Sequence, residues 1–192
     1  MRSSRLGERG FKPLLPFASS TIVESSARPA LEAGCRLLLV LGCRGDEVAA
    51  LFEAEPYRGL AQEGRLLLVD NPRWESGMVS SIQAALTSVR GEAFFVAHAD
   101  MPLVTADAYR LLAATREAEG SGGAASAYAA SHRGEAGHPV LMSSAWVPEI
   151  LALEGGERLR PFLAGKGLRL VEAGEGALRD IDTPGDYESA IL

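Results

Sequence analysis

The chain has 192 residues, of which 47% are hydrophobic, 23% charged and 6% aromatic, and this composition is typical of a soluble α/β protein with one domain, residues 1–192. Its formal net charge of -6 argues against a nucleic-acid partner, because neutralising many phosphates needs a basic face. Its two cysteines, Cys35 and Cys43, are too few for a disulfide scaffold, and no apolar run is long enough to cross a membrane, so we expect a cytoplasmic protein without a membrane partner.

Short apolar runs alternate with amphipathic segments along the whole chain. The apolar runs predict strands buried on both faces, at 37–41, 66–69, 93–97, 125–129, 140–142 and 168–171. The amphipathic segments predict helices at 21–33, 45–54, 77–89, 105–118, 144–153, 157–164 and from 184 to the end. Pro29 should kink or shorten the first of them. The alternation predicts a mainly parallel sheet covered by helices, in which ligands bind beyond the carboxyl ends of the strands.

The opening segment, MRSSRLGERGFKPLLPF, combines hydroxyl groups, glycines and positive charges within ten residues. Such a combination suits a polyphosphate, because Arg5 offers a guanidinium fork and Lys12 a point charge. Lysine is scarce in this chain, which favours a specific role for Lys12. The alternative interpretation is a frayed, solvated N-terminus.

The segment after the second predicted strand runs from Asn71 to Ser81 and contains Gly77 and Met78. The free backbone N–H groups at the start of the following helix would face the ligand edge, where they can bind an anion or contact a base. The alternative is an ordinary entry into a helix that packs through Met78 and the apolar residues after it.

Asp100 follows the apolar strand 93–97 and precedes Pro102, so its carboxylate lies where such sheets bind ligands. A lone carboxylate there suits Mg²⁺, which takes one or two carboxylates and completes its shell with water and substrate phosphates. The alternative is a turn residue before the next helix. His98 is interpreted as a packed strand residue, because no second histidine lies at metal-ligand spacing.

Two further motifs contain chemically active side chains. His138 lies between turn-forming residues just before a predicted strand, where it can bind a phosphate or a heterocycle or simply belong to a structural turn. Asp180 and Asp182 alternate around Ile181, so both carboxylates should point to one side of a short strand and repel each other unless a cation lies beside them. Thr183 is the predicted N-cap of the last helix.

Taken in chain order, these motifs resemble those of the MobA-like nucleotidyltransferases. The motifs are Ser-Ser-Arg-Leu-Gly followed by Lys-Pro-Leu-Leu-Pro, Thr21-Ile-Val-Glu24, Asn71-Pro, Gly77-Met with Ser81, Ala99-Asp100-Met-Pro102, Gly137-His138-Pro139 and Asp180-Ile-Asp-Thr-Pro184. The Gly-Met-x-x-Ser and Gly-His-Pro elements are most similar to the molybdenum cofactor cytidylyltransferase branch. The resemblance implies a Rossmann-like, three-layer α/β/α domain that transfers a nucleoside monophosphate from a nucleoside triphosphate to a phosphorylated acceptor and releases pyrophosphate.

The resemblance also implies a role for each matching residue. Arg5 and Lys12 would hold the triphosphate as catalytic residues, and Asp100 and Asp182 would bind Mg²⁺, the implied cofactor. The implied nucleotide-binding residues are Ser3, Ser4, Gly7, Asn71, Gly77, Met78 and Ser81. His138 would bind the acceptor. The implied partners are CTP and a molybdopterin-type acceptor, with a molybdoenzyme or maturation protein as a client.

The sequence also departs from the family pattern in three places. Four residues, 8–11, separate Gly7 from Lys12, where family members usually have two. The segment that begins at Gly155 keeps only the first glycine and the arginine of a Gly-Asp-x-Gly-Ala-Arg motif. The family's first strand is missing in front of the opening loop, so we expect the upstream in-frame DNA to encode it. The alternatives to a cytidylyltransferase are a GTP-using or sugar-phosphate nucleotidyltransferase and a degenerate nucleotide-binding protein.

Overall fold

The computed structural model describes residues 10–120, 127–154 and 159–191. Within them, eight strands form three sheets. The strands are β1 (Pro16–Phe17), β2 (Ser20–Thr21), β3 (Leu37–Leu41), β4 (Leu66–Asp70), β5 (Ala93–Val96), β6 (Tyr128–His132), β7 (Glu135–Ser143) and β8 (Arg169–Glu172). β1 and β2 pair antiparallel, and β3 and β4 pair parallel. The largest sheet has the order β5-β7-β6-β8, in which β7 is antiparallel to β5 and β6 while β8 is parallel to β6.

Helices connect most of these strands. They are α1 (Ile22–Glu32), α2 (Gly45–Phe52), α3 (Tyr57–Gln62), α4 (Met78–Leu86), α5 (Ala106–Ala118), α6 (Val147–Leu151), α7 (Leu159–Ala164) and α8 (Pro184–Ala190). Short 3₁₀ turns occupy Lys12–Leu14, Trp74–Ser76, Ser144–Trp146 and Glu175–Leu178. In the described part of the chain, no helix is long and apolar enough to span a membrane.

Helices cover both faces of the largest sheet. Alternate residues of a strand point to opposite faces, so neighbouring residues of one strand pack against different helices. Ala129 of β6 and Val140 of β7 pack in one cluster with residues of α4, α6 and α7. Ala130 of β6 and Leu141 of β7 pack on the other side, in a cluster with Leu112 of α5. The result is the three-layer α/β/α arrangement that the sequence predicts.

The β3–β4 pair has a core of its own, in which α1, α2 and α3 pack on the two strands. A second set of contacts joins α1 to α5, with Ala30 and Tyr109 among its buried residues. The two parts of the molecule therefore share α1, and Ala99, in the turn after β5, packs against the β3–β4 core.

The predicted elements are found with shifted ends and some additions. α1 continues past Pro29 to Glu32, so this proline does not end the helix. Helix α3 and the β1–β2 pair are additional, because two-residue strands and a six-residue helix have too few residues to show a period. Residues 180–182 form no strand, although Ile181 donates its N–H to the carbonyl of Asp100 at 2.9 Å.

Candidate active site

A buried lysine joins two acidic residues that are distant in sequence. Lys12 Nζ lies 2.7 Å from Asp100 Oδ2 and 2.6 Å from Asp182 Oδ1. Only 5% of the Lys12 side chain and 9% of the Asp100 side chain are exposed, whereas 63% of the Asp182 side chain is exposed. The cluster is therefore buried on the Lys12–Asp100 side and open to solvent at Asp182.

Three separate elements bring these side chains together. Lys12 begins the first 3₁₀ turn, and Asp100 lies in the turn after β5. Asp182 follows Ile181, which is 1% exposed and hydrogen-bonded to the Asp100 carbonyl. The hydrophobic anchor at Ile181 thus holds its two flanking carboxylates against the carboxyl end of β5.

Two glycines allow the segment before Asp180 to come close to the sheet. A Cβ at Gly137 would lie 1.9 Å from the Ala177 carbonyl oxygen, and a Cβ at Gly176 would lie 2.1 Å from the Leu103 carbonyl oxygen. Neither approach is possible for any other residue. Gly137, which the sequence analysis names as a turn-forming residue and as part of the Gly-His-Pro motif, is thus also a packing requirement that sets where the acidic segment lies.

Opposing effects set the protonation of the cluster. Burial lowers the pKa of the Lys12 ammonium, but its hydrogen bonds to Asp100 and Asp182 outweigh burial and leave that pKa raised. The hydrogen bond from Lys12 is the main cause that holds the pKa of Asp182 below its usual value. Burial and the neighbouring charge of Asp182 raise the pKa of Asp180. Lys12 is thus held charged between two carboxylates, with a third beside Asp182.

The donor set fits a hard divalent cation. Asp100 Oδ1 is buried and has no hydrogen-bond partner among the described residues, so it is available to accept from a water or to bind an ion. Across residues 10–120, 127–154 and 159–191, no three His, Cys, Asp or Glu side chains are grouped to hold a metal by themselves. An ion bound by Asp100 and Asp182 would therefore take its remaining ligands from water and phosphate, which is the usual environment of Mg²⁺.

The segment 71–81 forms a second part of the site. Asn71 is buried, donates from Nδ2 to Ser80 Oγ at 2.9 Å and to Ser81 Oγ at 3.0 Å, and accepts from the Arg73 N–H at 3.0 Å. These bonds fix the start of α4 against the end of β4. Ser80, which the sequence interpretation passed over, is the buried member and also donates to the Gly77 carbonyl.

The start of α4 is open. Gly77 has φ 102° and ψ -178°, a conformation available almost only to glycine, and a Cβ there would meet nothing within 4 Å. Met78 is 55% exposed, so it does not fill the core as a helical methionine usually does. The N-terminus of α4 therefore has open space over Gly77 and an exposed apolar side chain, Met78, beside it.

His138 lies on β7 and is stacked on His98, with ring centroids 3.8 Å apart and ring planes at 31°. Burial, aided by His98, lowers the pKa of His138 to about 4, so its ring is uncharged at neutral pH. His98 was interpreted as a packed strand residue. It instead follows the end of β5, and its Nε2 is buried with no hydrogen-bond partner.

The structure brings together most of the predicted site residues that it describes. Lys12, Asp100 and Asp182 form one cluster, and Asn71, Gly77, Met78 and Ser81 form another at the start of α4. Four residues of the opening segment, Ser3, Ser4, Arg5 and Gly7, lie outside the described residues. Residues 155–158, in the segment that departs from the Gly-Asp-x-Gly-Ala-Arg motif, also lie outside the described residues.

Comparison with known proteins assigns this arrangement to a family. Residues 2–173 match the family model described as the MobA-like NTP transferase domain. The molybdenum cofactor cytidylyltransferase of Escherichia coli (strain K12) is 30% identical over 189 residues, which cover 98% of this chain and 90% of that protein. The nicotine blue oxidoreductase of Paenarthrobacter nicotinovorans is 32% identical over 186 residues, which cover 93% of this chain and 86% of that protein.

A solved structure shows the same fold. It is Rv0371c of Mycobacterium tuberculosis H37Rv in complex with manganese, with a TM-score of 0.69 and 22% identity. The match covers 94% of this chain and 91% of that one.

Proposed function

Because the chain belongs to the MobA-like NTP transferase family, we propose that it transfers CMP from CTP to a molybdopterin-type phosphorylated acceptor and releases pyrophosphate. Nucleotidyl transfer is the activity of the family, and the choice of CTP and of the acceptor is supported by the 30% identity to a molybdenum cofactor cytidylyltransferase over 98% of the chain. The observation that carries the proposal is the buried Lys12 ammonium bonded to both Asp100 and Asp182.

Phosphoryl-group chemistry of this kind depends on positioning and charge rather than on a covalent intermediate. We assign to Arg5 and Lys12 the binding of the triphosphate, with Ser3, Ser4 and Gly7 of the opening segment as further contacts. An oxygen of the acceptor phosphate attacks the α-phosphorus in line, and the bond to pyrophosphate breaks. Lys12 is held charged beside the two carboxylates, so its ammonium is available to stabilise the negative charge that develops on the phosphates.

Asp100 and Asp182 are the residues that we assign to Mg²⁺. When bound, the ion would offset charge on the triphosphate and orient it. The buried, unpartnered Oδ1 of Asp100 supports this assignment, and the manganese complex of the mycobacterial relative of similar fold is consistent with a divalent cation. Lys12 would then exchange part of its bonding from the carboxylates to the phosphates.

The start of α4 is the proposed nucleotide subsite, with Asn71, Gly77, Met78 and Ser81 as its residues. The open space over Gly77 and the exposed Met78 suit a flat base, and the free N–H groups of the helix start suit an anion. His138 is assigned to the acceptor. A molybdoenzyme or a maturation protein is the proposed client of the product.

The proposal is tested first by thermal shift with each of the four NTPs and Mg²⁺, and then by pyrophosphate release with molybdopterin. We expect the largest stabilisation with CTP and pyrophosphate release only when the acceptor is present. A preference for GTP would indicate guanylyl transfer. Pyrophosphate release with a sugar phosphate alone would indicate that the acceptor is a sugar phosphate. Stabilisation without turnover would indicate a binding protein, and no response to any nucleotide would refute the proposal.

Asp100→Asn tests the metal assignment. The substitution keeps the shape of the side chain but removes the charge that an ion and Lys12 both need, so we expect turnover to fall by about 100-fold or more. Asp107→Asn is the matched control, because the Asp107 side chain is 87% exposed and bonds only to Arg110 among the described residues. Both variants should keep the circular dichroism of the wild type. Full activity in Asp100→Asn would refute the assignment.

A further inference from the structure

The two stacked histidines end one face of the largest sheet. Register pairs Phe94 with Met142 and Val96 with Val140, and all four pack in or against the cluster that includes Ile82 of α4. His98 and His138 lie two residues further along each strand in the same direction, so they occupy the next row of that face. This face of the sheet is therefore apolar beneath α4. At the edge where Asp100 lies, it ends in the two imidazole rings.

The bonding of the pair leaves one buried polar atom, His98 Nε2, without a partner among the described residues. His138 Nδ1 lies 3.3 Å from the Val96 carbonyl oxygen, so a neutral ring that donates there fixes its own tautomer. His98 Nε2, by contrast, is buried and has no hydrogen-bond partner. A buried polar atom in this state costs free energy unless a ligand or a water satisfies it.

The chemistry of the pair selects the ligand. The two stacked rings continue an apolar face of the sheet. A planar heterocycle with hydrogen-bonding edges can lie against such a face and exchange one hydrogen bond with the unpartnered Nε2 of His98. Met78, one helical turn before Ile82 and 55% exposed, lies on the same side of α4.

We propose that His98 is a specificity residue that binds the planar heterocycle of the acceptor, with its Nε2 hydrogen-bonded to the edge of that ring and His138 supporting it from below. The acceptor phosphate would then face Lys12 and Asp100. Asp100 lies two residues after His98 in the chain. This inference rests on the proposed function for the identity of the acceptor, but not for the presence of a heterocycle subsite.

The test compares His98→Phe with His132→Phe. The first keeps a ring on His138 and removes Nε2; the second changes the histidine at the β6–β7 turn, where His132 bonds to Glu172 at 2.8 Å. We expect His98→Phe to raise the KM for the acceptor by about 10-fold or more, since a buried hydrogen bond to the ligand is lost. The KM for CTP should stay within about 2-fold, and His132→Phe should change neither constant.

A binding measurement separates this inference from the proposed function. The fluorescence of unsubstituted pterin, titrated with the wild-type protein, should report binding that His98→Phe weakens and His132→Phe does not. If pterin binds in this way but no nucleotide is turned over, the heterocycle subsite is supported and the proposed function fails. If His98→Phe raises the KM for CTP instead, or leaves both pterin binding and the acceptor KM unchanged, the inference is wrong.

Discussion

At the scale of single residues, Lys12 does the most to organise the candidate site. It is 4% exposed, although lysine is almost never fully buried without a partner. It bonds two carboxylates that lie 88 and 170 residues away. Its burial therefore depends on Asp100 and Asp182, and the position of their oxygens depends in turn on the ammonium.

Lys12→Met should destabilise the fold by about 3 kcal/mol or more, because it leaves the buried Asp100 carboxylate without a partner. Lys166→Met is the matched control, since the side chain of the chain's other lysine is 27% exposed and pairs with Glu149, and it should cost about 1 kcal/mol or less. Urea unfolding at pH 7 measures both. Adding Asp100→Asn to Lys12→Met should recover part of the loss, and equal losses in the two lysine variants would contradict the role of the buried pair.

At the scale of elements, the site depends on how closely the 3₁₀ turn Glu175–Leu178 approaches β7. Gly137 allows that approach, because a Cβ would come within 1.9 Å of the Ala177 carbonyl oxygen. Ile181 then reaches the Asp100 carbonyl. The position of Asp182 is thus set by a packing contact four to five residues earlier in the chain.

Gly137→Ala should destabilise the fold by about 3 kcal/mol, since a backbone carbonyl must move to admit the methyl group. Gly59→Ala is the control: Gly59 lies in α3, its Cβ would meet only Glu55 Oε2 at 3.6 Å, and the change should be neutral or stabilising by up to about 1 kcal/mol. Thermal unfolding followed by circular dichroism measures both. A wild-type melting temperature in Gly137→Ala would show that the 3₁₀ turn Glu175–Leu178 can move away from β7 without a loss of stability, which would contradict this prediction.

Part of the fold follows from local pattern alone. The runs at 37–41, 66–69 and 93–97 appear as β3, β4 and β5 with at most one residue of difference at an end, because an apolar run bounded by polar turns is readable from sequence. Strand direction is not encoded in that way. The antiparallel pairing of β7 with β6 depends on the turn at residues 133–134. The antiparallel pairing of β7 with β5 joins segments that are distant in sequence, and buried runs look alike in either direction.

The candidate site likewise has features that the local sequence predicts and features that only the fold provides. Asp100 can be selected from sequence because a carboxylate directly after an apolar strand lies at the ligand edge, and Asp182 because two carboxylates alternate around Ile181. Their role in metal binding stays a prediction. That Lys12 bonds both of them is a contact across 170 residues, and no local pattern specifies it. The stack of His98 on His138 likewise follows from the register of β5 with β7, which only the folded sheet provides.

At the scale of the whole molecule, His138 makes global stability depend on pH. Burial, with His98 as a secondary cause, lowers its pKa from 6.5 to about 4, so folding favours the neutral ring. Its stabilising contribution is complete above pH 6.5 and is lost as the pH falls to about 4, because the unfolded chain binds the proton first. The full difference is about 3 kcal/mol at 1.36 kcal/mol for each unit of pKa. Urea unfolding of wild type and His138→Phe from pH 8 to pH 4 should give stability curves that converge or cross toward acid, whereas parallel curves would show that His138 is solvated when the protein is folded.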